Sequence, residues 1–197
     1  MIPEPPYIVD IFKRFRHTGA EVISMPNIII KKAETKEELD GKAFVHWKSW
    51  QEAYPGMIRQ EYLNALTIEK CRQIAFNWQD GMIIAKDGER VVGFVGYGHR
   101  EEDPLNTGEV FALYILSEYY GKGVSLRLMN AALDRLDDYE EICLWTIKKN
   151  RRAIRFYRKC GFVPDGREKT NEATGAEEIR MVLKGRKKHG TRLRLYC

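Results

Sequence analysis

The sequence predicts a single α/β domain, and three observations lead to it. Runs of β-branched and aromatic residues of strand length alternate along the chain with segments whose apolar residues recur at helical spacing. At 197 residues the chain suffices for one hydrophobic core and is short for two. One strand-like run, Val110 to Leu116, passes through a short polar turn into Gly121-Lys122-Gly123, and those glycines open an amphipathic helical pattern.

That last succession builds an anion site. The glycines lack the β-carbons that would hold a ligand off the backbone, and the following helix directs unpaired N–H groups and its positive dipole end at whatever lies over the loop. Lys122 adds a positive charge between them. The expected ligand is a phosphate or pyrophosphate; a plain strand-to-helix turn is the structural alternative.

The elements follow in order. Within residues 1–26, Ile8, Ile11, Phe12 and Phe15 recur at helical spacing opposite Lys13, Arg14 and Arg16. This extension reads as a short amphipathic helix packed on the domain or on a second subunit, with a membrane-surface helix as the rival. Asn27 to Lys32 reads as a first strand. Thr35 with Glu38 is a capping-box pattern that starts a helix running to about Gln51. Tyr54-Pro55-Gly56 breaks it, and a second helix runs from Gln60 to about Phe76. Met82 to Ala85 and Arg90 to Tyr97 are strands of a tight hairpin turning at Asp87-Gly88. After the glycine loop, a helix from about Lys122 to Leu136 carries Leu126, Met129, Leu133 and Leu136 as a core-facing stripe.

Glu141 to Ile147 is the next strand. It leads into a helix headed by Asn150, with Ala153, Ile154, Tyr157 and Cys160 on one side and Arg151, Arg155 and Arg158 on another. The arginine stripe reads as a solvated face or as a phosphate contact. Gly161 ends that helix. Phe162 to Gly166 and Glu177 to Lys184 form a closing strand pair, and residues 186–197 are a basic tail beyond a domain spanning 27–185.

Composition excludes several classes. No apolar run approaches the roughly 20 residues of a membrane helix, and the first residues lack a signal peptide's pattern. Four widely spaced cysteines, without a C-x-x-C pair, suggest reduced thiols and a cytoplasmic setting rather than a disulfide framework. Four single histidines suggest no metal. A net charge of +5 is modest, and the chain carries no evident nucleic-acid recognition motif, so neither nucleic acid nor membrane is expected as a partner.

Two blocks, Tyr120-Gly-Lys-Gly-Val-Ser125 and Asn150-Arg-Arg-Ala-Ile-Arg-Phe-Tyr-Arg-Lys-Cys-Gly-Phe162, together resemble the signature of the GNAT (Gcn5-related N-acetyltransferase) superfamily. The resemblance is strongest from Gly93 to Gly166. It implies a central mixed, mostly antiparallel sheet of six to seven strands flanked by about four helices. It also implies an N-acetyltransferase that uses acetyl-CoA as cosubstrate; direct attack in a ternary complex is the expected route.

Acetyl transfer to an amine needs a held coenzyme, a neutral amine, a donor to the carbonyl oxygen and a proton for the departing thiolate. By the resemblance, backbone N–H groups from about Gly121 through Lys122, Gly123, Val124 and Ser125 to Leu126 hold the pyrophosphate. Main-chain groups at Leu113, Tyr114 and Ile115 face the pantetheine arm, and Asn150 caps its helix, bonds the coenzyme, or both.

Glu109, an acid at the head of an apolar strand, is the candidate base, where partial desolvation would raise its pKa. Its structural alternative is a solvated strand-end carboxylate. Tyr157 is the candidate acid for the thiolate, with a core aromatic as its alternative. A covalent route through Cys143 or Cys160 is disfavoured, because neither has a neighbouring histidine in sequence.

Trp50 and Tyr54 are core aromatics or, by the resemblance, part of the acceptor wall. Acidic residues in two loops, Glu101 to Asp103 and Glu168 to Glu178, lean towards a cationic acceptor, a small molecule or a peptide amine. A monomer or homodimer is expected. Two departures from the motif stand out: Tyr120 where Gln or Arg is usual, and Ser125 where Gly or Ala is usual. Loss of the polar contact at position 120 predicts weaker coenzyme binding, and a non-catalytic acyl-CoA-binding module is the alternative function.

Overall fold

The computed structural model describes residues 27–99, 104 and 106–184. The extension 1–26, the acidic stretch Glu101 to Asp103 and the basic tail lie outside the described residues. The elements are β1 (Ile28–Lys31), α1 (Lys36–Ala53), α2 (Gln60–Ala65), α3 (Ile68–Asn77), β2 (Met82–Asp87), β3 (Arg90–Gly98), β4 (Thr107–Ile115), α4 (Val124–Arg135), β5 (Glu141–Ile147), α5 (Arg151–Lys159), β6 (Val163–Asn171) and β7 (Ala176–Lys184). The strands form one sheet in the order β1-β2-β3-β4-β5-β7-β6. All neighbours are antiparallel except β4 and β5. This is the mixed seven-stranded sheet that the resemblance implied. Among the described residues no helix is long and apolar enough to cross a membrane.

The expected second helix divides into α2 and α3. Leu66 adopts an extended conformation, and the Thr67 hydroxyl accepts from the Lys70 N–H to cap a new helix, while Lys70 Nζ bonds the Ala65 carbonyl at 2.7 Å. A Thr three residues before a polar N–H donor is itself a start signal, and the helical period running through it masks the break. The glycine-loop helix begins at Val124, two residues later than expected, because Gly123 takes a left-handed conformation at its N-cap. The hairpin turns at Gly88-Glu89, one residue beyond the expected Asp87-Gly88. The α4 stripe is Val124, Leu128, Met129, Ala132 and Leu133, all buried, with Leu126 only half-buried at its edge. Each large member contributes about 1.5–3 kcal/mol by burial.

Helix α1 is anchored by charge as well as by packing. The Thr35 hydroxyl accepts from the Glu38 N–H, as the capping pattern predicts. The Glu38 carboxylate turns instead to the Glu34 N–H at 2.8 Å, to Lys31 and, across the sheet, to Lys86 at 3.0 Å. Burial on its own would raise the Glu38 pKa, but these three partners outweigh it and hold the carboxyl down at about 2.

The strand pairing positions the cleft. Gly96 faces Ala112 and Tyr97 faces Val110, so Phe111 is an extra, bulged residue on β4. Gly96 makes room for it, since a β-carbon there would lie 2.5 Å from the Phe111 ring. On the other side, β4 pairs with β5 only through Thr107 to Glu109 against Glu141 to Cys143. Beyond those residues the two strands part, and the space between them opens. On β6, Asp165, Gly166 and Arg167 bulge opposite Arg180, whose buried guanidinium binds Asp165 and, at 2.8 Å, Glu141.

Because the folded pKa of Glu38 lies below the ordinary 4.5, its contribution is present above pH 4.5 and is lost as pH falls towards 2. Glu38→Gln should therefore cost on the order of 2 kcal/mol at neutral pH, and the difference from the parent should shrink to nothing in urea titrations carried down that acid range.

Candidate active site

A cleft of about 520 Å³ occupies the opening between β4 and β5. One end is formed by the turn into α4 and by α5. Gly121 and Gly123 both have positive φ, 75° and 77°, and a β-carbon at either would meet nothing within 4 Å, so the loop presents bare backbone to open space. No side chain caps the start of α4, which leaves its first-turn N–H groups available. This is the local geometry that a pyrophosphate requires.

At this end Tyr120, Gly121, Ser125, Asn150 and Arg152 line the cleft. Lys122, Gly123, Val124 and Leu126 do not line it; Val124 is buried in the core, and Lys122 lies over the Tyr119 ring at 5.2 Å. The Asn150 carboxamide accepts from the Ala153 N–H at 3.1 Å and so caps α5. Tyr120 does not leave the loop without a polar contact. The Arg152 guanidinium stacks on its ring at 3.9 Å and donates to its hydroxyl at 2.9 Å, so an arginine from α5 stands beside Tyr120.

The middle of the cleft holds Glu109, Leu113, Ile115 and Tyr157. Glu109 is 2% exposed, not the half-solvated strand end that its position suggested, and it lies in register with Gly98 on β3 and Cys143 on β5. The Ile115 carbonyl accepts from the Ser49 hydroxyl at 3.1 Å, which ties α1 to the strand where β5 has left it. Tyr157 packs between Phe156 and Phe162 on α5, and burial, then the nearby Tyr114 and Cys160, push its pKa well above the ordinary phenol value. It keeps its proton throughout the neutral range.

The far end is walled by α1, β5, β6 and β7. Trp50 and Tyr54 line it, and the ring of Tyr114 faces this side too. Tyr54 and Tyr114 share a hydrogen bond of 3.3 Å, while Trp50 packs edge-on against Tyr54 at 4.9 Å. Trp47 packs with Ala43, Leu66, Cys71 and Ala75 in a separate small core, against which Trp50 also packs.

His46 stacks behind Tyr114 at 5.7 Å and does not line the cleft. Burial, reinforced by the Lys42 charge, lowers its pKa to about 4. Residues that the sequence reading did not single out also meet here: Trp145, Lys169, Asn171 and Thr174. Of the acidic residues in the second loop, only Glu178 lines the cleft; Glu172 and Glu177 are exposed and Glu168 pairs with Lys148. The roof is tied by Arg59, whose N–H donates to the Thr174 carbonyl and whose Nη1 donates to the Glu172 carbonyl, both at 2.8 Å.

The family model for the acetyltransferase (GNAT) family matches residues 44–162, more than half of the chain and the whole of this cleft's β4–α5 frame. The chain belongs to the GNAT family. Among its relatives, an uncharacterized N-acetyltransferase, YuaI, of Bacillus subtilis is 28% identical over 130 residues, covering 62% of this chain and 73% of the relative. Another, MJ1207 of Methanocaldococcus jannaschii, is 24% identical over 165 residues, 79% of this chain and 70% of the relative. The GNAT fold is shared with the PaiA N-acetyltransferase from Thermoplasma acidophilum, solved in complex with coenzyme A: TM-score 0.62, 22% identity, 80% of this chain and 99% of that one. The fold is also that of PH1933 from Pyrococcus horikoshii: TM-score 0.64, 24% identity, 80% and 98% coverage.

The buried histidine generates a prediction. His46 stays neutral in the folded GNAT domain down to about pH 4, whereas an unfolded histidine protonates near 6.5, so stability declines as pH falls between those values. His46→Phe, which keeps the ring stack, should flatten that slope in melting temperatures measured from pH 7 to pH 4.

Proposed function

We propose that the chain transfers an acetyl group from acetyl-coenzyme A to a primary amine by direct attack in a ternary complex. The observation that carries this reading is that one cleft, opened by the parting of β4 and β5, is lined at once by the glycine-loop turn, Glu109 and Tyr157. The open glycine backbone, the uncapped start of α4 and the Tyr120-held Arg152 suit a pyrophosphate, and the β4 backbone beyond Glu109 suits an extended arm. Bound there, the cosubstrate supplies a thioester as acetyl donor.

In this reading Glu109 receives the proton that the acceptor's ammonium must shed, directly or through water, so that a nitrogen lone pair meets the thioester carbon. A backbone N–H of β4 in the gap bonds the carbonyl oxygen as it gains charge. Glu109 passes that first proton to solvent water, Tyr157 donates its proton to the sulfur as the carbon–sulfur bond breaks, and the nitrogen's remaining proton leaves through the regenerated Glu109 carboxylate to solvent, from which the Tyr157 phenolate is reprotonated. A phenol held protonated by its surroundings is suited to that role.

Among the described residues that line the cleft there is no histidine, which supports direct attack over a cysteine-bound intermediate. The acceptor enters from the α1, β6 and β7 side, where Trp50 and Tyr54 form its wall.

Thiol release against a panel of amines tests the activity. Tyr157→Phe should lower kcat by about a hundredfold with coenzyme A binding unchanged, and Glu109→Gln should lower it comparably and remove the rise of rate with pH. Unchanged turnover in either variant would refute the role of that residue. Arg152→Ala should raise the KM for acetyl-coenzyme A by about tenfold and leave kcat near its parent value.

A further inference from the structure

The far end of the cleft contains a cation seat that is filled by the chain's own lysine. Lys169 Nζ lies 4.0 Å from the centroid of the Trp145 ring and 3.7 Å from Glu178 Oε2. An aromatic face beside a carboxylate is the surrounding that binds an alkylammonium ion. The three side chains come from three neighbouring strands. Lys169 is the register partner of Glu178 between β6 and β7, and Trp145 is on β5, opposite Arg180. All three line the cleft.

Lys169 is weakly held. At 3.7 Å its contact with Glu178 is longer than a hydrogen bond, and 43% of the lysine side chain remains exposed, against 17% of the glutamate. The seat itself is set firmly: Glu178 sits within the β5–β7–β6 pairing and Trp145 within the β5–β7 register. A flexible, solvated lysine on a fixed seat is a replaceable occupant.

The reacting nitrogen has no use for this seat. It must lose its proton before it attacks, and a carboxylate with an aromatic face holds an amine in its charged form. Glu109, in the middle of the cleft, receives the proton in the mechanism above; Glu178, at the end, is a second carboxylate with a different task.

Resting on the acetyltransferase reading, we propose that Trp145 and Glu178 bind a second, non-reacting cationic group of the acceptor, which displaces Lys169. The acceptor is then an aliphatic amine that carries another positive charge, and Lys169 sets its selectivity by competing for the same place.

Diaminobutane and butylamine share a chain length and differ in the second charge. Calorimetric titration of each into the coenzyme A-loaded protein reads the seat without requiring transfer; thiol release from acetyl-coenzyme A reads transfer. The diamine should bind at least about tenfold more tightly than the monoamine. Glu178→Gln should reduce that preference about tenfold, and Lys169→Ala should increase it several-fold.

Preferential diamine binding with this pattern, but without thiol release from either amine, would sustain the seat and refute the transferase reading. Transfer to both amines with equal affinity, or with a preference that neither substitution changes, would overturn the seat and leave the transferase intact. Weaker diamine binding in Lys169→Ala, or no binding of either amine, would also overturn it.

Discussion

The structure depends on a hydrogen-bonded ladder that stops early. β4 and β5 are the one parallel pair in the sheet, and their pairing covers three residues on each strand before they separate. Parallel strands joined through a helix need no common turn, so nothing local forces them to remain together. The Phe111 bulge, accommodated by Gly96, redirects β4 at the point where the separation begins. Backbone groups left without a neighbouring strand need other partners, and the Ser49 hydroxyl supplies one by bonding the Ile115 carbonyl. A gap whose walls are main chain is suited to an extended ligand that can take the absent strand's place.

Charge is also buried as bracing within the sheet. Glu38 joins α1 to β1 and β2 through two lysines and a backbone N–H. Arg180 joins β5, β6 and β7 through Glu141 and Asp165, and its bulged partner strand resumes register at Glu168, which sets Lys169 opposite Glu178. A buried pair of this kind adds little net stability once its desolvation is counted, yet removing one partner leaves a stranded charge. The useful product is position: the Arg180 pairs fix which residues of β6 face the cleft. Arg59 performs a similar task from the other wall by fastening the α1–α2 link to the β6–β7 turn.

The order of strands and helices was legible because it is written in short-range patterns. Val110 to Leu116 could be nothing but a strand, Thr35 with Glu38 marked a helix start, and Gly121 and Gly123 marked a loop where backbone must be exposed. The break at Leu66-Thr67 was missed because the apolar period continues across it. Motif residues likewise declared themselves: Glu109, Tyr120, Asn150 and Tyr157 all line the cleft. Trp145 gave no such signal, and Glu178 was legible only as one acid of a stretch that leans towards a cationic acceptor. Only their register across β5 and β7 makes them neighbours.

Periodicity and glycine placement thus sufficed for the α/β domain, the exposed glycine turn and the motif residues, since each depends on neighbours within a turn of helix or along a strand. Pairing between distant segments decided the rest. The depth at which Glu109 is buried, the arginine that stacks on Tyr120 from a helix 32 residues away, and the lysine seated on Trp145 depend on where strands part and which residues bulge. Those are properties of the closed sheet, where packing and register, not local preference, determine what a side chain meets.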